Sequence, residues 1–123
     1  VDIGFDAAWE QDYSRGSVPV PGRQGVSALI DTGAQECFID RDLATALTLP
    51  IVDRQEIAGS TGREEVEVYL AQIHVRDLYF TIRGRFCGCI IEEDEYKILI
   101  GRSFLEHFSL AYNGKTGRVT LTD

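Results

Sequence analysis

Turn-forming residues interrupt this chain so often that only short strands and short helices fit between them. Residues 53–75 carry a strand pattern broken once, at Gly59-Ser60-Thr61-Gly62, whose glycines suit the positive dihedrals of a hairpin tip. A long, exposed hairpin is therefore predicted. Residues 1–5 alternate apolar and polar, as a half-buried strand does, and 7–24 read as a long connection containing Gly16, Pro19, Pro21 and Gly22. Residues 26–30 read as a strand that runs straight into Asp31-Thr32-Gly33, which puts an acidic residue at a strand end, ahead of a tight turn. Asp40 is positioned to cap a short helix reaching about Leu47, with Leu43 and Leu47 on one face and Pro50 stopping propagation. Farther on, 78–82 and 86–91 read as two short strands around Gly84, 92–95 as a solvated acidic loop, and 97–100 as a strand ending in Gly101-Arg102. Ser103 with Glu106 three residues later has the form of a capping box, which predicts a helix over about 104–108. Residues 110–112, the turn Asn113-Gly114 and 119–121 predict a closing hairpin. Short strands at regular spacing with two small helices add up to a mainly β fold.

A chain of 123 residues can bury a real core as one domain without disulfide or metal staples. The formal charge of -8 argues against a nucleic-acid partner, because phosphate contact needs a basic face and the 12 basic residues are scattered. No apolar run approaches the length of a membrane span, so no membrane insertion is expected within the chain. Cys37, Cys87 and Cys89 are an odd count, and the Cys87-Gly88-Cys89 spacing on one strand face suits bridging poorly. Reduced thiols point to a reducing compartment, and a cytoplasmic location is the expectation. His74 and His107 show no ligand spacing with the cysteines or with each other, and 92–95 lacks the alternate oxygens and glycine bend of a calcium loop; no metal and no cofactor are expected. The chain starts at Val1 and holds no methionine, which reads as an excised or processed piece of polypeptide.

Asp31 follows the apolar stretch Ala28-Leu29-Ile30, so poorly solvated surroundings are expected for it. Desolvation raises a carboxyl pKa, and a second carboxylate close by splits the pair so that one member stays protonated while the other is ionised. Such a pair activates water: the ionised member takes the proton of the attacking water and the protonated member donates to the developing oxyanion. Taken alone, Asp-Thr-Gly reads at least as well as a turn in which aspartate caps local amides.

The tripeptide does not stand alone. Ala28-Leu29-Ile30-Asp31-Thr32-Gly33-Ala34, then Phe38-Ile39-Asp40, then Leu43-Ala44-Thr45-Ala46-Leu47, and far downstream Ile98-Leu99-Ile100-Gly101-Arg102-Ser103-Phe104-Leu105, resemble the retropepsin-like (retroviral-type) aspartic proteases. The resemblance spans about 26–121, and the helix expected over 40–47 is closer to retrotransposon and bacterial relatives than to the shortest viral enzymes. It implies a single domain over 1–123 with a closed or partly open β-barrel of the retropepsin type, a flap hairpin and one or two short helices. It also implies an aspartic endopeptidase that hydrolyses polypeptide with a water activated by Asp31 of two chains at a homodimer interface. By that resemblance Asp31 is catalytic, Thr32 hydrogen-bonds its symmetry mate, Gly33 lets substrate backbone approach, and Ala34 lines the cleft. Gly59, Ser60, Thr61 and Gly62 become the flap that closes over the substrate. Arg102 becomes a brace of the active loop through an acidic partner. There the chain departs from the pattern, since Gln35 stands where retroviral members often carry aspartate, with Glu36 as a substitute.

The rival reading keeps the fold and drops the turnover: a domain that binds extended peptides by strand addition or mediates dimerisation. Several residues invite other roles. Trp9 suits a substrate contact or surface packing, and Tyr69, Tyr79 and Phe80 fit alternating strand faces. Ser103 and His107 share helical spacing but lack an acid to orient the histidine, and Cys37 reads as a small buried hydrophobe rather than a reactive thiol.

Overall fold

The computed structural model describes residues 1–4, 22–59, 62–75 and 80–122. In chain order its elements are β1 (Asp2–Gly4), β2 (Gly22–Arg23), β3 (Ala28–Ile30), β4 (Phe38–Asp40), α1 (Arg41–Ala46), β5 (Ile51–Gly59), β6 (Gly62–Val75), β7 (Phe80–Cys89), β8 (Ile98–Ile100), α2 (Arg102–Leu105), β9 (Ser109–Asn113) and β10 (Arg118–Thr122). The long strand β6 is the spine. One edge holds β5, from Ile51 opposite Tyr69 to Gly59 opposite Gly62, and farther along β1; the other edge holds β7 over Val68 to Val75. The main sheet runs β2-β1-β6-β7-β4-β8-β3 with β5 added on β6, and it curls into a half-barrel. Among the described residues its end strands β2 and β3 are not paired to each other, so the barrel is partly open. The closing hairpin β9–β10 makes a sheet of its own. No helix among the described residues is long and apolar enough to cross a membrane.

Local signals and pairing agree at α1. The Asp40 carboxylate accepts the Leu43 N–H at 3.3 Å, as an N-cap should, and also the Ile91 N–H at 3.0 Å, so one buried side chain holds the helix start to the segment after β7. Leu43, Ala44 and Leu47 enter the core. The helix ends with Leu49 N–H on the Ala44 carbonyl and Thr48 N–H on that of Thr45, with Thr48 at φ +52° in the left-handed position such a terminus requires.

Three expectations change. The segment read as two strands around Gly84 is the single strand β7, because a continuous ladder with β6 runs through Gly84 opposite Ala71 and pairing overrides the weak local preference of glycine. Gly22 and Arg23, read as connection, pair with β1. The helix expected over 104–108 from a Ser103 cap begins instead at Arg102 and lasts one turn, with Gly101 as its N-cap and no side-chain cap. The reason lies in the loop after Asp31: the Ala34 and Gln35 carbonyls accept the Arg102 and Ser103 N–H groups, both at 2.9 Å, so backbone oxygens satisfy the first turn and leave the serine cap unused.

The core gathers where β8 is inserted. It pairs parallel to β3, Ala28 to Ile98 through Ile30 to Ile100, and antiparallel to β4, Phe38 with Leu99 and Ile39 with Ile98. Ile39 and Ile98 are fully buried, and Ile73, Phe86, Ile100, Phe104 and Leu105 join them in one cluster. Since β3 and β4 flank β8, the connection 31–37 must cross over its end. Gly101 lies directly beneath that crossing, and a Cβ there would stand 2.1 Å from the Glu36 carbonyl oxygen and 3.0 Å from that of Ala34. Both obstacles are backbone. Gly101→Ala is therefore expected to cost about 3 kcal/mol or more, read as a lowered midpoint in urea unfolding, because the crossing and β8 cannot both keep their places. A variant as stable as the parent would contradict this close approach.

Candidate active site

Asp31 is the first residue beyond β3, and three kinds of bond fix the loop it opens. Its own N–H donates to the Ile100 carbonyl at 2.9 Å, its carbonyl accepts the Ala34 N–H at 3.2 Å, and its Oδ1 accepts the Gly33 N–H at 2.9 Å. The last bond turns the carboxylate back over the loop, and Gly33 allows it, since a Cβ there would meet Oδ1 at 3.2 Å. Among the described residues the Gly33 N–H is the side chain's single hydrogen-bond donor. Asp31 is partly buried rather than enclosed, because β3 is the sheet's end strand and leaves Leu29 at 42% exposure.

Arg102 braces this loop by a route the sequence did not suggest. Its Nη1 donates to the Thr32 carbonyl at 2.9 Å, and among the described residues it forms no ion pair with any carboxylate, so Glu36 does not serve as the substitute acidic partner. The Thr32 hydroxyl has no partner among the described residues and the residue is exposed. Cys37 is the buried hub below: its Sγ accepts the Gly101 N–H at 3.4 Å and lies 3.6 Å from Ser103 Oγ. Ser103 is thus occupied with the thiol, and His107 approaches Glu106 instead at 3.9 Å, so no nucleophile and base come together there.

A cleft of about 480 Å³ opens beside Asp31, Gly33, Ala34, Gln35 and Glu36. Phe38 of β4 forms part of its lining, and residues 55–58 of β5 form another part. This wall is what sequence reasoning missed. Alternation in β5 tells which of its residues share a face, but only the long-range ladder with β6 tells which face meets Asp31. Of the expected flap residues, Gly59 and Gly62 pair at the hairpin end and Gly62 sits at φ +119°, a dihedral that favours glycine. Ser60 and Thr61 lie outside the described residues, as do Trp9 and Tyr79. The base of the hairpin is tied across β6 by the ion pair of Asp53 with Arg85, next to a β-bulge between Ile51 and Asp53. The Arg54 N–H first, and the Arg85 guanidinium second, hold the Asp53 carboxyl below its ordinary pKa. Burial first, then the Glu36 charge, push the Cys87 thiol up to about 11, which keeps it protonated and unreactive near neutral pH. Among the described residues no cluster of three histidine, cysteine or acidic side chains is arranged to hold a metal ion.

Comparison with known proteins gives a family and a fold. A family model described as "gag-polyprotein putative aspartyl protease" matches residues 17–107. Among solved structures, the crystal structure of the retroviral protease-like domain of Ddi1 from Leishmania major is similar at a TM-score of 0.52 and 17% identity, over 80% of this chain and 79% of that one. At this identity the likeness is one of fold. No curated protein matches the chain.

The Arg102 brace yields a direct check. Arg102→Gln is expected to lower stability by about 1 kcal/mol, the usual worth of one such bond, and to speed amide hydrogen exchange in residues 32–36 more than in β6. Unchanged protection of the loop would mean that the guanidinium does not hold it.

Proposed function

The chain belongs to the gag-polyprotein aspartyl protease family, and from that premise we propose that it is an aspartic endopeptidase in which Asp31 of two identical chains forms the water-activating dyad. The observation that carries this reading is the clamped Asp31 loop opening on a cleft of about 480 Å³ whose far wall belongs to the long hairpin. The ionised carboxylate takes a proton from water as the water oxygen attacks the peptide carbonyl carbon. The protonated carboxylate gives its proton to the carbonyl oxygen, and the tetrahedral intermediate then collapses as the amide nitrogen gains a proton and the C–N bond breaks. Extended polypeptide is the substrate this cleft suits, and the hairpin tip is the proposed flap. No step needs a cofactor.

Three features support the second copy. One chain offers one Asp-Thr-Gly, and the simplest closed arrangement that brings two Asp31 side chains face to face is an isologous pair. Among the described residues the Thr32 hydroxyl is without a partner, and the hairpin β9–β10, paired there only with itself, leaves Leu110, Tyr112 and Val119 exposed, Tyr112 at 69%. Two chains at -8 each repel, but at physiological salt that repulsion is screened beyond about 8 Å, so apolar contact near the axis can outweigh it.

The second reading, a peptide-binding domain without turnover, is favoured by the Arg102 brace, which reaches a backbone carbonyl where an acidic partner was expected. Asp31→Asn separates the two: the amide has nearly the same shape but cannot shuttle the proton, so peptide turnover is expected to fall at least about a thousandfold with thermal stability kept. Equal turnover in parent and variant would remove Asp31 from catalysis, and no turnover in the parent would favour the binding domain. The pair makes its own forecast. Specific activity is expected to fall on dilution in step with dissociation seen by sedimentation, and Thr32→Ala to shift both curves to higher concentration; a fully active monomer would overturn the dimeric site.

A further inference from the structure

Strand β7 has an edge that the sheet leaves unused. One side is laddered to β6 over 80–87, but on the other side β4 takes up only 87–89. The Cys87 N–H donates across that second edge to the Cys37 carbonyl at 2.9 Å, and the Leu70 N–H, opposite Arg85, turns away from β7 to the Pro50 carbonyl at 3.0 Å. Alternation along the strand therefore sends the N–H and C=O groups of Arg85 and Arg83 out of the same edge as Cys87. Among the described residues no backbone group bonds to them there.

A groove of about 220 Å³ lies along this edge, between β7 and α2. The buried Phe86 and Phe104 give it an apolar floor, and its basic residues are Arg83, Arg85 and His107, with Glu36 as the one acid in the lining. Arg85 is tied to Asp53 and His107 approaches Glu106, but Arg83 is exposed and forms no ion pair among the described residues. Basic side chains thus outnumber acids in this lining on a chain of net charge -8. A second copy of β7 fits the edge poorly, because it sets like charges against Arg83 and Arg85. An acidic strand fits it well. In an added antiparallel strand the residues opposite Arg83 and Arg85 share the arginines' face, and the residue opposite Gly84 points to the face of Phe86, which belongs with Phe104 and Leu105 of α2 to one core cluster. Gly84 has no side chain to compete for that space.

We infer that the edge of β7 at 83–85 is a docking site that takes an extended segment of another polypeptide by strand addition, and that this segment carries an acid, an apolar residue and an acid in succession. Main-chain bonds supply the affinity and the alternating side chains the selectivity. The site lies outside the cleft and shares only Glu36 with its lining, so the inference stands whether or not the chain cuts peptide. The net charge of the chain repels an acidic segment at range, but at physiological salt that repulsion is screened beyond about 8 Å, and the contacts at the edge are shorter.

The test uses the whole chain carrying Asp31→Asn, so that the probes stay intact. Four labelled heptapeptides are titrated with fluorescence anisotropy as readout: one centred on glutamate-phenylalanine-glutamate, one with both glutamates replaced by lysine, one with the phenylalanine replaced by glycine, and one methylated on the two glutamate nitrogens that would face β7. The first is expected to bind at least about tenfold more tightly than the other three, and to slow amide hydrogen exchange at Arg83 and Arg85. Adding Arg83→Gln is expected to shrink the preference for glutamate over lysine, and Arg83→Glu to reverse it. No binding, equal binding of the acidic and lysine peptides, undiminished binding of the methylated peptide, unchanged exchange at the two arginine amides, or a preference that survives Arg83→Glu would overturn the site. So would protection of residues 31–36 in place of those amides, which would put the peptide in the cleft. Slow exchange of the two amides in the free protein would overturn it as well, since this chain or a second copy would then already cover the edge.

Discussion

The fold depends on one crossing. Strand β8 passes between β3 and β4 while the connection joining those two strands runs over its end, and the crossing is possible only because Gly101 lets two backbones meet at less than side-chain distance. Everything at the cleft inherits its position from this. The Ile100 carbonyl holds the Asp31 amide, the loop carbonyls cap α2, and the Cys37 thiol takes the Gly101 N–H. The bonds are backbone or short side chain, with little rotamer freedom to lose, so the loop is held by geometry more than by any one strong contact.

Electrostatics around the cleft follows a different logic from that of the crossing. Of the long cationic side chains around it, Arg85 is turned to Asp53 and Arg102 to the Thr32 carbonyl, whereas Arg63 pairs with Glu56 of the cleft lining itself. Exposed pairs of this kind contribute little to stability. Arg63 thereby offsets one acid of the lining, while Asp31 and Glu36 stand in it without an ion pair among the described residues.

Much of this was legible in the sequence, and the failures share one cause. The long hairpin, the Asp40 cap, the strand ahead of Asp31 and the terminal hairpin all arise from local patterns, and the structure contains each of them. The Ser103 cap failed because carbonyls from 68 or so residues earlier satisfied the helix first. The break at Gly84 failed because β6 offered a continuous partner. An acidic partner for Arg102 failed because a backbone oxygen, which every residue carries and no sequence pattern marks, lay within reach. The cleft wall of Phe38 and residues 55–58 was hidden for the same reason: it is assembled by pairings far apart in the chain. Local chemistry was readable, whereas the identity of distant backbone partners was not.

The Asp53–Arg85 tie and the bulge beside it turn the hairpin into a lever with a fixed fulcrum. At Asp53 the strand is held to β6 by its ladder and to β7 by the Arg85 ion pair; ahead of it β5 is paired to β6 alone, and the six residues from Arg54 to Gly59 extend about 20 Å at the usual strand rise. Arg54 reaches Glu65 and Glu67 across the pair, and Arg63 reaches Glu56, so ion pairs cross the arm along its length. On an arm of this length, a rotation of a few degrees at the bulge corresponds to a displacement of an ångström or more at the far end. The strand that walls the cleft is thus anchored by a salt bridge that lies outside it.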